Sequence, residues 1–155
     1  MAAGLAALSW AGLGKKIEPR MFDTKIAVIL RDELAPWQAL NVTAFLMTGI
    51  VGQFPDIIGE PYRDRSGNIY NALSAQPIIV LSADAATMLA IHKRALERRV
   101  KTSLYIEEMF STGHDAANRA VFSQFAPEDA KIVGLALRED KRMVDKITKG
   151  AKMYR

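Results

Sequence analysis

Two short runs of this chain hold the residue types that ligand binding or acid–base chemistry needs. The first, RDELAPWQALNVTAFL, spans Arg31 to Leu46 and gathers a guanidinium, two carboxylates, an indole and two amides ahead of an apolar stretch. Its Gln38, Asn41 and Phe45, with Thr48 just beyond it, recur at spacings of three or four, one side of a helix. Buried amides need partners, because leaving one unpaired costs about 1–3 kcal/mol. A ligand, a second subunit or nearby backbone could each supply them. The second run contains Glu107, Glu108, Ser111, Thr112, His114 and Asp115. Adjacent carboxylates raise one another's pKa toward the range useful for proton transfer, and the hydroxyls and imidazole could share that work. The plainer alternatives are a well-made helix start and a solvated loop.

Several chemistries are excluded. No phosphate-binding P-loop, no G-x-S-x-G and no dinucleotide fingerprint follows the first strand. Gly49-Ile50-Val51-Gly52 closes a helix rather than opening one, so its amides would point away from an anion. The two histidines, His92 and His114, lie far apart without spaced carboxylate partners, so neither a metal site nor a cofactor is expected. The absence of cysteine removes disulfide and thiolate chemistry and is compatible with a reducing cytoplasm, the expected location.

The elements that must position these residues follow from hydrophobic patterning. KIAVIL, Lys25 to Leu30, is a continuous β-favouring run, as in a strand covered on both faces. Pro36 suits the first turn of a helix extending to about Val51, which is apolar nearly all round and so should be buried. Asp64 to Asn68 reads as the turn of a small hairpin. PIIVLS, Pro77 to Ser82, is a second strand, and Ser82 or Asp84 caps a helix from Ala85 to about Arg99. A third strand runs from Thr102 to Ile106, a loop with a helix near Ala116 to Phe125 follows, and a fourth strand covers Lys131 to Leu137. A helix from Asp140 to Lys152 ends the chain. This alternation predicts a three-layer α/β/α domain over 21–155, with a mixed but mostly parallel sheet of four or five strands and right-handed crossovers. Its ligand site should lie at the carboxyl ends of the strands.

Residues 1–20 read as a loose tail. Their apolar run precedes Lys15 and Lys16, the reverse of a secretion signal, and is shorter than the roughly 20 residues a bilayer requires, so no membrane association is expected. The net charge of +4 is concentrated in two places. Lys93 to Lys101 holds five basic residues against Glu97, and Arg138 to Arg155 holds seven against Glu139, Asp140 and Asp145. Basic segments on an otherwise acidic body could attract RNA, or could simply be solvated helix faces.

The order of these elements, with KIAVILRDELAPWQALNVTAFL, GEPYRDRSGNIY, QPIIVL and IVGLALREDKRMVDKITKG, resembles an uncharacterised bacterial family, a domain of unknown function whose members look like peptidyl-tRNA hydrolase type II. The resemblance covers about Thr24 to Met153. In those hydrolases the first strand leads to an arginine and an acidic-leucine pair, matched by Arg31 and Glu33-Leu34. Their loop lysine is replaced by Gln38 and their helix glutamine by Ala44. Of their I-x-D-A-G-x-T pattern, Ile106 and Thr112 fit, Glu108 stands for the aspartate and Met109-Phe110 for the Ala-Gly pair. A lost ammonium removes an electrostatic contribution typically worth several kcal/mol, so the resemblance implies the fold more than the reaction.

Three readings follow. In the first, a small or nucleotide-like ligand binds at the strand ends, with Arg31 as anion contact, Trp37 as stacking or lid surface, Gln38 and Asn41 as orienting amides, and Glu108 and Thr112 on the far wall. In the second, a residual peptidyl- or aminoacyl-tRNA hydrolase uses Glu108, Thr112 and Gln38 for catalysis and Arg94, Arg98, Lys146 and Lys149 for the RNA backbone. In the third, the chain is a non-enzymatic homo-oligomer, such as a dimer, with Phe45 and Thr48 at the subunit interface. The third is compatible with either of the others.

Overall fold

The computed structural model describes residues 22–155; the segment 1–20, read above as a tail, lies outside them. Strand β1, Thr24–Arg31, is central, and its residues Ile26 to Leu30 are all buried. Its alternation divides the core. Ile26, Val28 and Leu30 face helix α1, Pro36–Gln53, whose Ala39, Val42, Leu46 and Ile50 point inward. Ala27 and Ile29 face the opposite layer, built from helix α2, Ala85–Glu97, and a later helix. Full burial of each large apolar side chain contributes roughly 1.5–3 kcal/mol, so this two-sided strand is the main organiser of the domain.

A short 3-10 turn, Pro55–Ile57, follows α1 and leads to the expected hairpin of β2, Tyr62–Arg63, and β3, Ile69–Tyr70. Asp64 fixes its turn: one carboxylate oxygen accepts from the Ser66 and Asn68 amides, the other from the Asn68 side chain and the Tyr70 hydroxyl. These bonds hold the Asp64 carboxyl below its ordinary value, the Asn68 side chain contributing most. Strand β4, Ile78–Ala83, then pairs parallel with β1. Asp84 caps α2 by accepting the Thr87 amide at 2.8 Å.

Strand β5, Ser103–Ile106, precedes a 3-10 segment, Glu107–Ser111, and helix α3, Asp115–Phe122. Strand β6, Ile132–Asp140, completes the interior of a five-stranded sheet. Short helix α4, Lys141–Ile147, and strand β7, Lys152–Met153, end the chain, giving the strand order β5-β6-β1-β4-β7. The three-layer α/β/α architecture is therefore present: α1 on one face, α2 and α4 on the other.

Two expectations need correction. The sheet is mixed, but only β1 and β4 pair parallel; β1–β6, β5–β6 and β4–β7 are antiparallel. The reason is local. The Glu107 amide, just past β5, bonds the Lys131 carbonyl just before β6, so the chain turns back at the same end of the sheet and must re-enter reversed. The terminal helix is also shorter than patterning implied. Thr148 bonds back to the Val144 carbonyl, Gly150 adopts φ +100°, and the chain then extends to pair with β4. Arg94 closes that end of α4 by donating to the carbonyls of Ile147 and Lys149.

Candidate functional site

The carboxyl end of β1 delivers Arg31 to the region where β5 ends. Its side chain is only 14 % exposed, and Nη2 donates to Glu107 Oε2 at 3.2 Å. Arg31 Nε lies 2.6 Å from Glu33 Oε1, an ion pair lacking the alignment of a hydrogen bond. The guanidinium thus sits between two carboxylates, and with Asp32 and Glu108 close in sequence this end of the sheet is acidic overall. Next to Glu107, Glu108 keeps a buried Oε2 with no hydrogen-bond partner in the protein. Such an oxygen forfeits the bonds that water gave it unless something else donates.

Trp37, at the start of α1, remains 61 % exposed, yet one edge meets Phe110 with ring centroids 5.7 Å apart. Phe110 lies 5.2 Å from Tyr105, which lies 6.0 Å from Phe45. This aromatic chain fastens the 3-10 segment after β5 to the flank of α1. Burial pushes the Tyr105 hydroxyl above its ordinary pKa.

The remaining expected residues have specific places. Gln38 turns back to accept the Ala35 amide at 3.0 Å, completing the helix start. Asn41 is exposed on the outer side of α1. Thr112 donates to the Met109 carbonyl at 2.8 Å and contacts Asn118 Oδ1 on α3. Arg31, Trp37, Glu107, Glu108 and Phe110 therefore gather at one end of the sheet, while Gln38 and Thr112 serve local backbone. A cleft of about 230 Å³ lies alongside, between α1, β5 and α3. Its wall includes Phe45, Tyr105, Met109, Asn118, Arg119 and Phe122 rather than the five residues Arg31, Trp37, Gln38, Glu108 and Thr112.

Of the basic set, Arg94 is committed to the α4 carbonyls and Arg98 donates to the Arg94 carbonyl at 3.1 Å. Lys146 and Lys149 are exposed. Among the described residues, no group of three or more His, Asp or Glu is placed to hold a metal, and no helix is long and apolar enough to cross a membrane.

Sequence reasoning named Glu107 for acid–base work beside Glu108 but missed its bond to Arg31, which it reaches because it is the first residue beyond the β5 strand, and the Tyr105–Phe110 contact, which only the 3-10 turn creates. It also missed Gln76, buried ahead of β4. Gln76 donates to the Thr24 carbonyl at 2.9 Å and accepts from Arg138 Nε at 2.9 Å.

Comparison with known proteins agrees with the architecture. A family described as "Protein of unknown function (DUF2000)" matches residues 24–155. A solved structure of a protein of unknown function from Agrobacterium tumefaciens strain C58 is 68% identical, with a TM-score of 0.86. The match covers 87% of this chain and 100% of that one. No curated protein matches. With the match extending over all the strands and helices described, the chain belongs to the DUF2000 family.

Proposed function

We propose that this DUF2000 protein binds a small ligand of nucleoside-like character at the carboxyl ends of β1 and β5, on a scaffold of the peptidyl-tRNA hydrolase type II kind. The observation that supports this most is the buried, unpartnered Oε2 of Glu108 beside the Arg31–Glu107 pair. A ligand amino or hydroxyl group donating to that oxygen restores the bond lost on folding. The neighbouring Trp37, 61 % exposed and braced edge to face against Phe110, offers an aromatic ring for stacking. Because Arg31 already faces Glu33 and Glu107, this end of the sheet favours the neutral, hydrogen-bonding part of a nucleoside over its phosphates.

Hydrolysis of peptidyl- or aminoacyl-tRNA has less support. The amide of Gln38 serves the helix start, the hydroxyl of Thr112 serves Met109, and Arg94 and Arg98 bond carbonyls of their own chain. A thermal-shift screen of nucleosides, nucleotides and small amines against wild type, Glu108→Gln and Arg31→Ala tests the proposal. At least one ligand should stabilise the wild type and lose its effect in the Glu108 variant. A screen in which every ligand treats the three proteins alike defeats it.

A further inference from the structure

On the layer opposite α1, helix α2 carries a polar side chain that the core does not use. His92 lies beside the core residues Ile91 and Ala95 and is only 7 % exposed. Its ring makes no hydrogen bond or ion pair among the described residues. A leucine at this edge of the core would fill space with no polar atoms, whereas an unpartnered imidazole forfeits the bonds that water gave it. Neither ring nitrogen is sealed in, since the fully enclosed atoms without a partner are Arg31 Nε and Glu108 Oε2. The imidazole belongs to the lining of a groove of about 500 Å³, together with Leu89, Lys93, Leu96, Pro127 and Glu128.

The groove follows from helical spacing. Leu89 and Leu96 stand three and four residues from His92, so the three share one stripe of α2. Pro127 and Glu128, from the turn ahead of β6, form the other side. Leu89 and Leu96 keep 37 % and 49 % exposure, apolar surface that the fold itself leaves uncovered. Small-molecule sites are roughly 300–1,000 Å³ in volume and mostly apolar, with a few convergent polar groups. This groove has that size and that make-up.

The polar groups decide which head group suits it. Lys93 and Glu128 are exposed at the rim, and neither is held in an ion pair among the described residues. Beyond Lys93 the chain continues through Arg94, Arg98, Arg99 and Lys101 against Glu97, whereas Glu128 and Asp129 are followed by Lys131. The surrounding field is therefore positive and favours an anion. Burial holds the His92 imidazole neutral, and a neutral imidazole keeps one N–H to donate.

We infer that this groove binds a small monocarboxylate with an apolar body. Its carboxylate accepts from His92 and pairs with Lys93, and its hydrocarbon part covers Leu89, Leu96 and Pro127. The site is separate from the Arg31–Glu108 region and does not depend on a ligand there.

Isothermal titration of the full chain with octanoate, octanol and octylamine tests the assignment. Octanoate should bind saturably at one site and more tightly than either analogue. His92→Phe, similar in size but without the donor, should weaken binding by about ten-fold. Lys93→Gln should weaken it several-fold, and Leu96→Glu, a like charge in the path of the hydrocarbon, should abolish it. The chain has two histidines, so their ring resonances are readily told apart by NMR. Octanoate should move the His92 signals and leave those of His114 in place, a readout that needs no variant to fold. Octanol or octylamine binding as tightly as octanoate overturns the inference. So do the lack of saturable octanoate binding, an affinity unchanged by Leu96→Glu, and movement of the His114 signals in place of those of His92.

Discussion

Arg31 on β1 and Glu107 beyond β5 are joined by a 3.2 Å hydrogen bond that reaches past the first residues of β6, the strand between them. The two ends of the bond are unequal. The Arg31 side chain is 14 % exposed and that of Glu107 is 47 % exposed. Removing the arginine strips packing and leaves neighbouring carboxylates to repel, so Arg31→Ala should cost about 1–3 kcal/mol in urea unfolding. Glu107→Gln keeps a bond at a partly solvated site and should cost less than about 1 kcal/mol. Equal losses from the two changes would show that the pair is not divided in this way.

Gly134 governs how closely α1 sits on the sheet. A Cβ there would lie 2.4 Å from Val42 Cγ1 and 2.9 Å from Leu46 Cδ1. Gly134→Ala should destabilise the fold by about 1–3 kcal/mol, the usual cost of overpacking. Val42→Ala in the same chain should recover part of that loss, because the two changes share one volume. Simple additivity in denaturant titrations of the single and double variants would contradict the close-approach explanation.

Gln76 links Thr24 at the start of β1 to Arg138 near the end of β6. Arg138 also sits over the Phe54 ring, 4.8 Å from its centroid, and lies 3.8 Å from Asp56. Gln76→Leu fills similar space but leaves the Arg138 Nε and the Thr24 carbonyl without a partner. A loss of about 1–3 kcal/mol is expected, and a smaller one for Gln76→Glu, which can still accept from Arg138. Thermal unfolding of the two variants provides the comparison.

His92 lies buried on α2 beside a groove lined by Leu89, Lys93, Leu96, Pro127 and Glu128. Burial holds its imidazole below the ordinary 6.5. The unfolded chain therefore takes up the proton first as pH falls. The stability contributed by neutral His92 is complete above 6.5 and is lost as the pH drops toward the folded-state pKa. Denaturation free energies measured from about pH 7.5 down to pH 5 should fall more steeply for wild type than for His92→Gln. Parallel curves would assign the acid sensitivity to other groups.

Legibility differed between elements for physical reasons. Ile26 to Leu30 announced β1 because a strand buried on both faces needs an unbroken apolar run, and Asp84 announced its helix through local capping chemistry. The reversed β6 was hidden because direction depends on where Glu107 and Lys131 meet, 24 residues apart in sequence. β7 was hidden because two residues carry no period and because Gly150 turns the chain only after α4 has ended. At the candidate site the location of Arg31 and Trp37 was readable from the strand-to-helix junction. The partner of Arg31 was not, since Glu107 and Glu108 differ only in which way successive side chains point.

The two outer strands have a consequence for how copies of this protein can meet. β5 offers four residues and β7 only two, one of them Lys152. Exposed sheet margins act as templates on which further strands are laid down, and brevity and charge both discourage that growth. With little main chain available at either rim, sheet-to-sheet polymerisation has a poor starting point.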